Sequence, residues 1–169
     1  MKYFFTADEH YGHENIIKYC NRPFKTVDEM DNEIIRRHNE VVGINDTVIH
    51  CGDFSLAKKI GNFEKYFNRL NGKHQFILGS HDYWSQLSEI KLRSDMFIAD
   101  MLTIKVDEIC IVCCHYAMRT WPYSHYGSIQ VYGHSHGKLP PLSNQWDVGV
   151  DNNNFYPVSL EELINKINV

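Results

Sequence analysis

The chain opens on a short apolar and aromatic run, Lys2–Ala7, of the kind that forms a buried strand. Four similar runs follow at Asp46–Cys51, His74–Leu78, Ile109–Cys114 and Ser128–Tyr132. Between them the period lengthens to that of a helix. Thr26–Val41 sets Val27, Met30 and Ile34 at helical spacing behind the capping box Thr26-x-x-Glu29, and Asn62–Leu70 repeats the spacing with Phe63, Tyr66, Phe67 and Leu70. A last helix starts at the box Ser159-x-x-Glu162 and carries Leu160, Leu163, Ile164 and Ile167 on one stripe. Alternating strands and helices in the first half predict βαβ units and a helix-covered sheet. From Met96 to Val150 strand-like runs succeed one another with Gly and Pro punctuation and no helical pattern, which predicts a second sheet with antiparallel or mixed pairing. No linker or repeat divides the chain, so residues 1–169 read as a single domain.

Composition narrows the function classes. With 43% hydrophobic and 22% charged residues the chain reads as globular, and no stretch approaches the ~18 apolar residues of a membrane span. Lys and Arg number 17 against 21 Asp and Glu, a formal charge of -4, which disfavours a long nucleic-acid partner. The N-terminal run meets Asp8 and Glu9 before any signal-peptide core, so a cytoplasmic protein is expected. Five cysteines, an odd number, do not suit a disulfide framework. Cys110 and Cys113 spell C-x-x-C within a strand, where that spacing puts them on opposite faces, so they read as core thiols.

The chemistry lies where the strands end. Each apolar run is followed by carboxylates or imidazoles: Asp8-Glu9-His10, Gly52-Asp53, Gly79-Ser80-His81-Asp82, His115, and Gly133-His134-Ser135-His136. In α/β sheets ligands bind beyond the carboxyl ends of the strands, so these side chains converge if the strands are neighbours. Asp8, His10, Asp53, His115, His134 and His136 form a nitrogen and oxygen set without thiolate, suited to manganese, iron, zinc, nickel or cobalt. Six ligands exceed the needs of one tetrahedral ion, and two divalent ions about 3.5–4 Å apart would use them all in a phosphoryl displacement.

The same series resembles the calcineurin-like metallophosphoesterases, with Asp8-x-His10, Gly52-Asp53, Gly79-x-His81-Asp82, His115 and Gly133-His134-x-His136 in order along the whole chain. Gly12-His13-x-Asn15, Arg22-Pro23-Phe24 and Gly149-Val150-Asp151 are similar to a small bacterial and phage-type branch without a cap domain. The resemblance implies an α/β double β-sheet sandwich flanked by helices in four layers. It also implies two divalent transition-metal ions, manganese first among the candidates. Asp8, His10, Asp53 and His136 would surround one ion, and Asp53 would bridge to a second held with His115 and His134. In that family a metal-bridging hydroxide attacks phosphorus in line. The histidine matching His81 assists the leaving oxygen, and the aspartate matching Asp82 orients that histidine. The family motif has Asn where this chain has Ser80, whose hydroxyl is shorter and a weaker ligand, so the second ion is expected to bind less tightly.

The expected activity is hydrolysis of a phosphodiester or phosphomonoester, with a phosphorylated small molecule or short phosphodiester as substrate and no membrane partner. His13, three residues after His10, and Arg119, after His115, are candidate substrate contacts, and Trp121 and Tyr123 are candidate rim residues. His38, His50 and His74 read as packing or sheet residues, and Glu9 as pointing away from the metals. The rival is a metal-binding interaction module with decayed catalysis, supported by Ser80; a small nuclease is a third reading.

Overall fold

The computed structural model describes residues 1–167. In chain order it comprises β1 (Tyr3–Thr6), α1 (Glu14–Tyr19), α2 (Val27–Val41), β2 (Thr47–Cys51), α3 (Ile60–Phe67), β3 (Lys73–Ile77), α4 (Ser88–Lys91), β4 (Phe97–Ala99), β5 (Met101–Val106), β6 (Ile109–Cys114), β7 (Ile129–Tyr132), β8 (Gln145–Asp147), β9 (Val158–Ser159) and α5 (Leu160–Ile167). Two sheets face each other. One has the order β4-β3-β2-β1-β9, with β1 to β4 parallel and β9 antiparallel at its edge. The other has the order β5-β6-β7-β8, with β5 antiparallel and the rest parallel, which bears out the mixed pairing expected of the second half.

Alternation along β1, β2 and β3 divides their side chains between two cores. Phe5, Ala7, Ile49, Cys51 and Ile77 pack against Ile111, Cys113, Ile129 and Val131 of the opposite sheet. Phe76 on the other face packs with Ile16 of α1, Met30 and Ile34 of α2, Phe63 and Tyr66 of α3 and Ile90 of α4. The fold is thus an α/β two-sheet sandwich with flanking helices, and α5 lies against β1, β8 and β9 with Leu163 fully buried.

The caps act locally as their residues dictate. The Thr26 hydroxyl accepts from the Glu29 N–H at 3.2 Å, while the Glu29 carboxylate reaches one residue further back, to the Lys25 N–H at 2.8 Å. Ser159 and Glu162 form the reciprocal box at 3.2 and 2.9 Å. The helix expected over Asn62–Leu70 starts at Ile60 and ends at Phe67, and Leu70 packs into the helix-side core from the turn beyond. No helix among the described residues is long and apolar enough to cross a membrane.

Candidate metal centre

Five segments leave the carboxyl ends of β1, β2, β3, β6 and β7 and meet. Asp8, His10, Asp53, His134 and His136 all hold left-handed backbone conformations, with φ of 58°, 53°, 59°, 66° and 48°. Such φ values are uncommon for non-glycine residues and persist where surroundings over-determine them. The determinants are visible: the Asp8 N–H donates to the Gly52 carbonyl at 2.9 Å, the His10 N–H to the Asp53 carbonyl at 3.0 Å, and the His134 N–H to Asp8 Oδ1 at 3.0 Å. Two glycines admit this crowding. A Cβ on Gly52 would collide with the His115 ring and one on Gly79 with the Asp53 carboxylate and backbone, and Gly52 also has φ of +96°.

Asp8, His10 and His136 present ligand atoms that all lie within 4.8 Å of one another, and so do Asp53, His115 and His134. These are the two groups into which the resemblance divides the ligands. Asp53 lies between them: its Oδ2 is 3.6 Å from His10 Nε2 and 3.5 Å from His115 Nε2. The Ser80 hydroxyl is 3.5 Å from the same oxygen, and the His81 N–H holds Oδ1 at 2.8 Å. Cys20 also comes close to His136 and Asp151, but both Asp151 oxygens are already bonded to Arg22.

The donor set fits divalent cations. Asp8 Oδ2, His10 Nε2 and His115 Nε2 are buried without any hydrogen-bond partner, each a cost of about 1–3 kcal/mol that ligation would remove. The other ring nitrogens are spent on orientation. His115 Nδ1 faces the Cys51 carbonyl at 2.9 Å and His136 Nδ1 faces Asp151 at 2.7 Å, the outer contacts that fix a ligating imidazole. Electrostatics follows the crowding. Burial pushes the Asp8 carboxyl up to about 7 and His10 down to about 3. Burial would also raise Asp53, yet the adjacent His115 and the His81 N–H hold it well below the usual carboxylate range. Burial likewise opposes charge on His115, but the Asp53 carboxylate prevails and lifts it to about 8.

The remaining expected residues divide. His81 joins the cluster, its ring centroid 5.5 Å from that of His10, and His13 lies 5.4 Å from His10 and 6.2 Å from His81. Asp82 is buried, and its oxygens accept from the N–H groups of Asp53, Phe54 and Gly79 at 2.8–2.9 Å and from the Trp84 indole at 2.8 Å. Those bonds hold the Asp53 and Gly79 turns, and none goes to the His81 ring. Arg119 is exposed and makes no polar contact with the cluster among the described residues.

Arg22 has a function that no sequence reasoning identified. Buried, it grips both Asp151 oxygens at 2.8 Å and donates to the Asp8 carbonyl at 2.6 Å and the Glu9 carbonyl at 3.0 Å. It therefore secures the Asp8–His10 turn and, through Asp151, the His136 ring. The only sequence signal was the pair of tripeptides Arg22-Pro23-Phe24 and Gly149-Val150-Asp151, and nothing in them links the two.

No family model matches the chain. The protein of unknown function AQ665 from Aquifex aeolicus superposes with a TM-score of 0.75 at 22% identity over 98% of this chain and 99% of its own, a likeness of fold. An archaeal phosphodiesterase aligns at a TM-score of 0.47 and 19% identity over 88% and 82% of the two chains. The uncharacterized protein MJ1445 of Methanocaldococcus jannaschii is 30% identical over 174 residues, spanning 98% of this chain and 91% of its own. At that identity across nearly the whole of both sequences, this chain belongs to the family of MJ1445.

Proposed function

We propose that the protein is a divalent-metal-dependent phosphoesterase that hydrolyses a phosphodiester or phosphomonoester. The observation that carries the reading is the position of Asp53 Oδ2, 3.6 and 3.5 Å from His10 Nε2 and His115 Nε2, beside buried ligand atoms that have no other partner. Asp8, His10 and His136 with Asp53 would hold one ion; Asp53, His115 and His134, with Ser80 at its edge, would hold the other. When bound, paired divalent ions polarise phosphoryl oxygens and draw the pKa of water toward neutrality.

The chain's own residues supply the rest. His81, with its N–H fixed to Asp53 Oδ1 at 2.8 Å, brings an imidazole to the same pocket and can deliver a proton from its ring nitrogen to the departing oxygen. His13, its ring 5.4 Å from His10 and 6.2 Å from His81, is the contact for the substrate. Asp82 acts as a positioning residue, accepting from the Asp53 and Phe54 N–H groups of one turn, the Gly79 N–H of another and the Trp84 indole. Ser80 offers a hydroxyl where the resemblance calls for an amide, the one feature that favours a metal-binding interaction module instead.

The test is turnover of bis(4-nitrophenyl) phosphate and 4-nitrophenyl phosphate by manganese-loaded protein. Hydrolysis should stop with chelator and return with metal, and His81→Ala should lower kcat by about 10²–10⁴ while metal content stays the same. Full metal loading with no turnover of either ester would favour the interaction module. Failure to retain any transition metal would remove both readings.

A further inference from the structure

Tyrosines stand around the mouth of the metal centre, each touching a different histidine of the cluster. Tyr19 meets His13 with ring centroids 6.2 Å apart, Tyr83 meets His81 at 6.5 Å, and Tyr116 meets His115 at 4.9 Å and His134 at 4.8 Å. All three remain largely open to solvent, at 68%, 50% and 48% exposure. Exposed aromatic surface grouped at one opening marks a binding surface more often than scattered apolar residues do.

Tyr116 is the best prepared of the three. Its carbonyl accepts from Gln130 Nε2 at 2.8 Å. Two residues on, the Met118 N–H donates to Gln130 Oε1 at 3.0 Å and the Met118 carbonyl accepts from Gln145 Nε2 at 2.6 Å. Gln130 and Gln145 are buried strand residues, so two core amides are committed to holding a surface loop in one position. That is preorganisation of a contact element, and it lowers the ordering cost of binding. The Tyr116 ring on this loop lies 4.8 Å from the His134 ring, so a phosphate held by the cluster would bring its substituent near that ring. Lys58 places its ammonium 5.8 Å from the Tyr83 ring.

We propose that this site takes phosphoesters bearing a flat ring close to the phosphate, nucleotides or aryl esters, with the Tyr116 ring as the stacking surface that selects them. The inference rests on the phosphoesterase reading above and goes beyond it to the substrate class. A ring without base-edge hydrogen bonds recognises any flat π-face, so selection should be by ring and not by base identity.

The experiment measures equilibrium binding of adenosine 5′-monophosphate, phenyl phosphate, ribose 5-phosphate and inorganic phosphate to metal-loaded protein on a His81→Ala background, where bound probes persist. Adenosine monophosphate should bind about tenfold tighter than ribose 5-phosphate, within the range for one base on one aromatic face. Adding Tyr116→Ala should reduce that ratio to about twofold or less, and Tyr116→Phe should preserve it. Phenyl phosphate should follow adenosine monophosphate; phenyl phosphate that binds no tighter than ribose 5-phosphate shows that a flat ring is not what the site selects and overturns the proposal. Equal affinity for adenosine monophosphate and ribose 5-phosphate, or a preference that survives Tyr116→Ala, overturns it while binding of inorganic phosphate leaves the phosphoesterase reading standing. If inorganic phosphate itself does not bind, both fall.

Discussion

Two groups of histidines lie close together in this molecule and behave in opposite ways. At the carboxyl edge, His10, His115, His134 and His136 surround two carboxylates, and buried ring nitrogens of His10 and His115 are aimed at Asp53. Behind the five-stranded sheet, His38, His50 and His74 stack on one another and on Phe76, with centroids 4.7–6.3 Å apart. There Glu9, His50 and His74 form a line, with His50 Nδ1 facing Glu9 Oε1 at 2.6 Å and His50 Nε2 facing His74 Nδ1 at 2.9 Å, while His38 Nε2 faces the Asn71 carbonyl at 2.8 Å. Burial raises Glu9 to about 7 and lowers His50 to about 3, so both groups are shifted toward their uncharged forms. Imidazoles that converge on a shared anion can hold a cation, whereas imidazoles strung in a line satisfy one another. Even an unpartnered atom at each end of that line, Glu9 Oε2 and His74 Nε2, does not make the rear group a metal site, because its donors do not meet at a point.

That contrast can be broken most severely at Asp53, the oxygen common to both halves of the front group. Asp53→Asn should remove both ions and lower turnover by more than the about 10–100-fold that loss of an outer partner costs, as read by metal analysis and initial rates. A difference within the front group comes next. Arg22 and Asp151 buttress only the Asp8, His10 and His136 half, so Asp151→Asn or Arg22→Lys should weaken one of two calorimetric metal-binding steps by about 10–100-fold and leave the other within about threefold. Equal weakening of both steps would show that the clamp supports the whole turn region instead.

The rear group should declare itself in stability, not in metal binding. Burial holds His38 down at about 4, against an ordinary value near 6.5, beside His50, His74 and Glu9. As pH falls through 6.5 the unfolded chain takes up a proton that the folded chain refuses until about pH 4, so stability is full above that window and declines within it. Urea unfolding between pH 7 and pH 5 should therefore show wild type losing about 2 kcal/mol more than His38→Gln, with metal stoichiometry the same in both. The smallest effect expected is at Ser80. Replacing its hydroxyl with the amide of Ser80→Asn should tighten the Asp53, His115 and His134 half by roughly threefold to tenfold and leave its neighbour unchanged, because ligand number sets affinity.

Much of the front group was legible because strand period and strand end are both local properties. Each ligand follows an apolar run, and parallel strands bring their carboxyl ends to one edge, so Asp8, Asp53 and His115 could be grouped from order alone. The second sheet was legible as strand-rich, but β8 and β9, three and two residues long, are too short for period-two reasoning. Helix α1 escaped for a related reason: only Ile16 of its six residues is buried, so no stripe announces it. Asp82 was placed at the right turn, but the donors its oxygens accept, from Asp53 to Trp84, come from packing that spacing does not encode.

By itself the sequence determined which side chains stand at strand ends and that they form a nitrogen and oxygen donor set of the kind that suits divalent metals, because hydrophobic period and donor type are written residue by residue. Only the tertiary structure decided which histidines share an anion and which merely pack, since His10 and His50 differ in neighbours and not in kind. It alone joined Arg22 to Asp151 across 129 positions of chain and set Tyr116 on its buried amides. Contacts of that range arise when whole layers close on one another, and a side chain's partner is then fixed by the packing of both layers rather than by anything near it in the chain.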